Sequence, residues 1–415
     1  MASSCSRCSV ATPQLNDYVT VWSIALFGQT SFCRCYNIHF LFREYTSMQK
    51  SLTTLSLSCA LMLGAASVAM AAHHITAQEK KLIAGAKKEG SVTLINPLIS
   101  DRTSQRLGAA FRKYYGLGDG FKYKNLRKGT GATVSQVRQE IKADKFTVDA
   151  ILVSAPGFFS AAAKRGAFLK LDSGQWKHSA ALAKKAGQYT DYPYAVVPLA
   201  YSFQPVWNTT CPGMSNFSVD SYAGTTVASV KGKTISSDIT KSFTYTNTVI
   251  ALQEAGAVDF KSFWKKLKAT DPIIEFRTEP KMQMVISCQR PFDMWNLAGR
   301  VYQNVKKKPD LKGKLKLGSY KEGFVLLGNQ IAVLKGAKHP NAAKLLVEFL
   351  LSKAGMDVVV EGEALYTFRE GYSPPAAAQP YLLDLSKQNL IGMSDWVGAQ
   401  KKFKATRGEW SKNFR

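Results

Sequence analysis

The chain has 415 residues, of which 46% are hydrophobic, 11% aromatic and 20% charged, a composition that excludes a disordered polymer and is sufficient for two lobes of ordinary domain size. Its formal net charge of +26 points to nucleic acid, an anionic membrane surface, an anionic solute or a solvated basic exterior. The lysines are spread from Lys80-Lys81 to Lys401-Lys402, and no helix-turn-helix, zinc-finger or RNA-binding signature accompanies them, which sets nucleic acid aside.

Residues 1–47 carry Cys5, Cys8, Cys33 and Cys35 as C-x2-C and C-x-C, spacings that superficially suit a metal, yet no helix or strand pattern joins the two pairs. From Met48 the pattern changes. Lys50 gives a minimal positive start, an uncharged stretch runs from Ser51 to Ala72, and Ala69-Met70-Ala71 fits the small-x-small site of signal peptidase. Six serines and threonines between Ser51 and Ser67 dilute this run. A membrane span needs about 20 predominantly apolar residues. The expectation is an over-extended leader over 1–47, a cleaved signal peptide over 48–71 and a mature periplasmic chain beginning near Ala72. Processing removes Cys5, Cys8, Cys33, Cys35 and Cys59 and leaves Cys211 and Cys288. In an exported protein such a pair is usually a disulfide, and the alternative is two separate buried thiols. The mature chain stays strongly basic.

Thr76-Ala77-Gln78-Glu79 is a capping box that opens a helix, and Gly90 closes it. Val92–Asn96 reads as a buried parallel strand, Asp101–Tyr115 as a helix stopped by Gly116, and Phe121–Arg127 as a strand. Ala132–Ala143 is a helix, Val148–Ser154 a strand and Gly157–Lys164 a short helix. After the long β-rich stretch Tyr194–Thr209 a second α/β series begins: strand Lys233–Asp238, helices Asn247–Ala255 and Ser262–Ala269, strand Pro272–Arg277, helix Lys281–Ser287 and strand Pro291–Trp295. A basic loop over Val305–Leu315, a second β-rich stretch over Gly323–Leu334, the amphipathic helix Asn341–Leu351 and a helical tail complete the chain. Two α/β series joined by two extended stretches predict two lobes with more than one crossing.

The segment Lys335–Ser352, KGAKHPNAAKLLVEFLLS, resembles one common among bacterial ABC-importer solute-binding proteins, where a strand ends in K-x-A-x-H-P-x-A-A and opens a helix. Pro340 at the helix start and apolar Leu345, Leu346, Phe349 and Leu350 on one face supply its local logic. EKKLIAGAKKEGSV, GTGATVSQVRQEIKADKFTVDAILVS and YAGTTVASVKGKTISSD agree with the same family in order, so the likeness covers about 75–375.

The resemblance implies an α/β, two-lobe type-2 periplasmic binding fold, with a ligand cleft between the lobes and a two-strand hinge. It places a first lobe over 72–200 and a second over 201–322, with the return strand and C-terminal helices of 323–415 packing on the first lobe and hinge. It implies no cofactor and no catalysis; the partners are a small-molecule ligand and the permease of an ABC importer, and the protein acts as a monomer. Ligands in such sheets bind beyond the carboxyl ends of strands, at helix N-termini. By that rule the candidates are Asn96, Ser100, Thr130 and Ser154 on the first lobe and Thr240, Ser242, Trp295 and Asn296 on the second, with Tyr366 and Arg369 on a returning loop. The chain is also similar to the ferric-iron branch, which uses adjacent tyrosines because phenolate is a hard donor. Ala298-Gly299 falls about where that pair would stand. A polar or anionic organic solute is therefore expected, held chiefly by Trp295 and Arg369, with iron or its complex as the alternative. A secreted enzyme on the same fold is a further alternative, but there is no nucleophile elbow, phosphate loop or H-E-x-x-H, and His178 and His339 show no evident acid or metal partner.

Overall fold

The computed structural model describes residues 75–392 and 395–415. The leader, the signal segment, its cleavage site and the cysteines Cys5, Cys8, Cys33, Cys35 and Cys59 lie outside the described residues. Helix α1 (Ala77–Glu89) begins at the capping box, where Thr76 Oγ1 accepts from the Glu79 N–H and the Glu79 carboxylate accepts from the Thr76 N–H. Gly90 ends it in the left-handed region at φ 68°, a conformation that costs glycine no steric strain. There follow β1 (Ser91–Asn96), α2 (Asp101–Tyr115), β2 (Lys122–Arg127), α3 (Thr130–Ala143), β3 (Ala150–Val153), α4 (Pro156–Lys164), α5 (Ala180–Lys185) and β4 (Val196–Tyr201).

Ser202 and Phe203 carry the chain into a second α/β unit. It comprises β5 (Gln204–Asn208), β6 (Thr234–Ser236), α6 (Phe243–Glu254), α7 (Phe260–Ala269), β7 (Ile273–Ile274), α8 (Thr278–Ile286), β8 (Phe292–Asn296), α9 (Ala298–Lys307) and β9 (Leu315–Leu317). The chain then returns through β10 (Phe324–Val325) to β11 (Leu327–Val333), α10 (Pro340–Leu351) and α11 (Lys353–Glu363), and ends with β12 (Leu390–Ile391) and α12 (Ala399–Phe414).

Each lobe is built on a five-stranded sheet, ordered β2-β1-β3-β11-β4 in the first and β7-β6-β8-β5-β9 in the second. In the first sheet β1, β2 and β3 run parallel and β11 runs against both β3 and β4, so the ends of β1, β2, β3 and β4 share one edge with the start of β11. The second sheet repeats this arrangement, with β6 parallel to β7 and β8 and with β5 antiparallel to β8 and β9. The crossings β4–β5 and β9–β11 join those two edges, which places the loops beyond the strand ends of the lobes opposite one another. A third passage follows α11, where β12 pairs with β10.

Three differences from the expected elements matter for the site. Helix α9 occupies a stretch read partly as loop: Val301, Tyr302 and Val305 face inward, and Lys306 and Lys307 form its last turn, where cations suit the helix dipole. The strand expected over Pro272–Arg277 pairs only at Ile273 and Ile274, and Arg277 becomes the N-cap of α8. Helices α10 and α11 pack on α1 and α2 of the first lobe, but α12 packs on α6 and α7 of the second, correcting the placement of all the C-terminal helices on the first lobe and hinge. Its apolar residues Phe403 and Trp410 find an apolar surface there. Among the described residues no helix is long and apolar enough to cross a membrane.

Candidate functional site

The loops leaving β1, β2, β6, β7 and β8 surround a cleft of about 620 Å³ between the lobes. On the first wall stand Asp101, at the start of α2, and Arg127-Lys128-Gly129-Thr130, where β2 passes into α3. Gly129 is the N-cap of α3 and has no side chain to accept from the first-turn amides, which leaves the positive end of the helix to the cleft. The second wall carries Ser242, Thr244, Phe276, Arg277, Thr278, Glu279 and Arg300. At the hinge the rings of Phe203 and Tyr245 stack with centroids 4.0 Å apart.

Arg300 is the most constrained cation. Its Nε donates to Thr278 Oγ1 at 3.1 Å and lies 3.7 Å from Glu279 Oε2, while Nη1 donates to Gln303 Oε1 at 2.7 Å. Burial lowers the affinity of this guanidinium for its proton, and the like charge of Arg127 on the opposite wall adds to the shift, against the opposing pull of Glu279 and Glu363. Arg277 is held differently, as a two-point pair with Glu275 at 3.1 and 3.2 Å.

Behind the second wall lies a buried ion pair. Lys281 Nζ is 3.0 Å from both Asp293 Oδ1 and Ser237 Oγ and also donates to the Trp295 carbonyl. Asp293 accepts further from the Trp295 N–H and from Asn296 Nδ2. Asn296 Oδ1 in turn accepts from the Leu297 N–H, so this network fixes the loop that leads into α9 and Arg300.

The sequence-derived candidates fall into three groups. Thr130 and Ser242 stand on the cleft walls, and Ser242 also caps α6 by accepting from the Tyr245 N–H. Ser100 caps α2 and donates to Glu363 Oε1 at 2.6 Å beside a neighbouring chamber, and Tyr366 borders a small void at the hinge while its hydroxyl accepts from the Leu383 N–H. The others do not line the cleft. Asn96 is buried, accepting from the Leu98 and Ile99 amides and donating to Asn125, so it shapes the loop rather than facing the cleft. Ser154 is buried beyond β3, Thr240 is engaged with Asp238 and Arg415, and Asn296 belongs to the network just described.

The two expected principal contacts are corrected. Trp295 is 0% exposed, with its indole N–H donated to Tyr222 and its ring stacked on Tyr245 and packed against Phe260 and Trp264. A side chain that alternates inward on a central strand serves the core. Arg369 donates to Gln175 Oε1 and the Leu351 carbonyl, both 3.0 Å away on the first lobe, and does not border the cleft. The residues missed were Arg127, Arg277 and Arg300, all at or just beyond strand ends. The same strand-end rule, applied to charged as well as hydroxyl and amide side chains, identifies the first two. Arg300 required α9.

A tyrosine pair of the kind the ferric-iron branch uses meets a steric obstacle at Ala298-Gly299. A Cβ at Gly299 would lie 2.2 Å from the Glu363 carbonyl oxygen, so the closeness of α9 to α11 excludes a larger residue on this backbone. Burial raises the phenol pKa values of Tyr201 and Tyr245, the tyrosines bordering the cleft, so without a bound cation both phenols keep their protons. Among the described residues no group of three His, Cys, Asp or Glu side chains could hold a metal ion.

His339 has an acid partner after all: its Nδ1 is 2.9 Å from Asp149 Oδ2 and its Nε2 is 2.9 Å from Ser91 Oγ. Asp149 also accepts from the amides of Thr93 and His339, and Glu89 accepts from the Asn341 and Ala342 amides. These bonds join the head of α10 to the sheet and to α1. Cys211 and Cys288 are joined by a disulfide that ties the segment after β5 to the end of α8.

A model of the family "bacterial extracellular solute-binding protein" matches residues 107–382. No curated protein matches. Among solved structures, iron-bound HitA from Pseudomonas aeruginosa aligns at 18% identity and TM-score 0.60, over 77% of this chain and 99% of that one. The periplasmic binding protein AfuA from Actinobacillus pleuropneumoniae, with fructose-6-phosphate, aligns at 16% and 0.61, over 78% and 98%. A periplasmic thiamin binding protein aligns at 16% and 0.59, over 78% and 96%. At these identities the likeness is one of fold, the two-lobe architecture of periplasmic binding proteins.

Proposed function

Since the chain belongs to the bacterial extracellular solute-binding proteins, we propose that it captures a small anionic organic solute between its lobes and presents it to the permease of an ABC importer. The observation that carries this reading is the confrontation of Arg127 and Arg300 across the cleft, two like charges whose repulsion a bridging anion relieves. The open N-terminus of α3 favours the same sign of ligand. A cleft of about 620 Å³ is suited to a molecule of metabolite size. Closure around a carboxylate, phosphonate or phosphate ester removes water and strengthens each charge-assisted hydrogen bond. Export through a signal cleaved after Ala71, action as a monomer in the periplasm and the absence of catalysis belong to the same reading.

The test begins with a thermal-shift screen of carboxylates, phosphonates and phosphate esters, followed by calorimetric titration of the best binder. Arg127→Ala and Arg300→Gln should each weaken binding about ten-fold or more, about 1.4 kcal/mol. Arg369→Ala, outside the cleft, should bind as the parent does. Unchanged affinity in both cleft variants, or binding of ferric iron with a phenolate charge-transfer band, overturns the reading.

A further inference from the structure

Building on the reading that the cleft takes an anion, we propose that the solute carries two separate anionic groups, the second held in a cationic side chamber between the lobes. This chamber, of about 400 Å³, shares Arg127, Glu279 and Arg300 with the cleft, so one molecule can reach from one space into the other. Its remaining walls bring Arg102 and Arg106 from α2 together with Lys306 and Lys307 from α9. Glu361 pairs with Arg106 at 2.6 Å and stands 3.7 Å from Lys306. Arg102, Arg127 and Lys307 make no ion pair among the described residues.

The placement of these cations is informative. Lys306 and Lys307 end α9, where the helix dipole welcomes them. Arg102 lies in the first turn of α2, and Arg127 lies two residues before the open N-cap of α3. At α2 that positive end is met by Asp101 and by the Glu363 carboxylate, which accepts from the Ser100 N–H, whereas the end of α3 beside Arg127 has neither an acidic first turn nor a side-chain cap, an arrangement that an external anion stabilises. A single anionic group between Arg127 and Arg300 would leave Arg102 and Lys307 unrelieved as the lobes approach. A solute with a second group, such as a phosphonate–carboxylate or a bisphosphate ester, neutralises both sets at once. Its two groups then act as linked epitopes, the second binding at the effective concentration the first provides.

The experiment uses the mature protein and two series of probes, α,ω-alkanebisphosphonates of increasing chain length and the alkylmonophosphonates of matching length, titrated by calorimetry. At one chain length the bisphosphonate should exceed its partner by about ten-fold or more. The double variant Arg102→Ala/Lys307→Ala, at two exposed positions on opposite lobes, should reduce that advantage to about the two-fold statistical factor. Absence of a preferred length, or an advantage that survives in the double variant, overturns the chamber. Monophosphonate binding that depends on Arg300 without any bisphosphonate advantage overturns the chamber alone, whereas failure of these probes and of every carboxylate, phosphonate and phosphate ester of the screen to bind overturns both this inference and the reading beneath it.

Discussion

Replacing Lys281 with methionine tests how the second wall of the cleft is held. Lys281 and Asp293 are both 0% exposed, and the ammonium has the carboxylate, the Ser237 hydroxyl and the Trp295 carbonyl as its acceptors. Methionine keeps most of the volume but leaves Asp293 buried without its cation. Breaking one side of a buried pair costs roughly 3–5 kcal/mol. Asp293 retains two neutral donors, the Trp295 N–H and Asn296 Nδ2, which places the expectation near the lower end, about 3 kcal/mol. At roughly 2 °C per kcal/mol for a chain of this size, the melting temperature should fall by about 6 °C. Adding Asp293→Asn should recover part of the loss, because the uncompensated charge disappears. Urea unfolding of the parent, both single variants and the double variant gives the coupling directly.

The pH dependence supplies an independent check. Burial alone would lower the Lys281 pKa, but Asp293 beside it reverses the sign and holds it above the ordinary value of 10.5. A group whose folded pKa is raised gives stability that is fully present below its unfolded value and is lost as pH rises through the folded one. The gap between parent and Lys281→Met should therefore stay constant from about pH 6 to pH 9 and narrow only above about pH 10.5. A gap within about 1 kcal/mol at neutral pH, or one that narrows as pH rises from about 6 to about 9, would refute a charged buried pair as the support of this wall.

Glu348 on α10 is also buried, and that burial pushes its carboxyl up to about 7 against the hydrogen bonds of Ser173 and the Gln175 N–H. Its favourable contribution is complete below the ordinary value of 4.5 and is lost as pH rises through the folded value near 7. Glu348→Gln should accordingly match the parent at about pH 4 and exceed it by roughly 1–3 kcal/mol above about pH 7, measured by urea unfolding. Equal stability of the two at both pH values would refute the assignment. Removing the disulfide that spans 77 residues, as Cys211→Ser/Cys288→Ser, should cost roughly 2–5 kcal/mol. Thiol titration of the denatured, unreduced parent should find neither cysteine reactive, and reactivity of both would refute the bond.

Local signals in the chain were sufficient for much of the architecture. The capping box at Thr76, the glycine stops at Gly90 and Gly116 and the apolar runs at Val92 and Val148 act over a few residues, and the elements they announce lie within one to three residues of the observed ones. The alternation of strand and helix determined two α/β lobes, and the segment from Lys335 to Ser352 determined the family. The strand-end rule also pointed to the edge of each sheet that borders the cleft, where Thr130 and Ser242 stand.

Which side chain at that edge faces the cleft was decided by tertiary packing. Trp295 looks like a stacking platform in the sequence, but β8 lies inside its sheet and Tyr222, Tyr245 and Trp264 enclose the ring. Arg369 looks like a fork for an anion, but its loop returns to the first lobe, where Gln175 and the Leu351 carbonyl receive it. Conversely, Arg127 and Arg300 are 173 positions apart in the numbering of the chain and come to line one cleft only when β2 and α9 face each other from opposite lobes. Residue type and short-range spacing therefore determined the family and the lobes of this protein, because capping, periodicity and turn chemistry are local interactions. The sign and shape of its cleft were determined by contacts between the two lobes, which arise from long-range closure that no local pattern encodes.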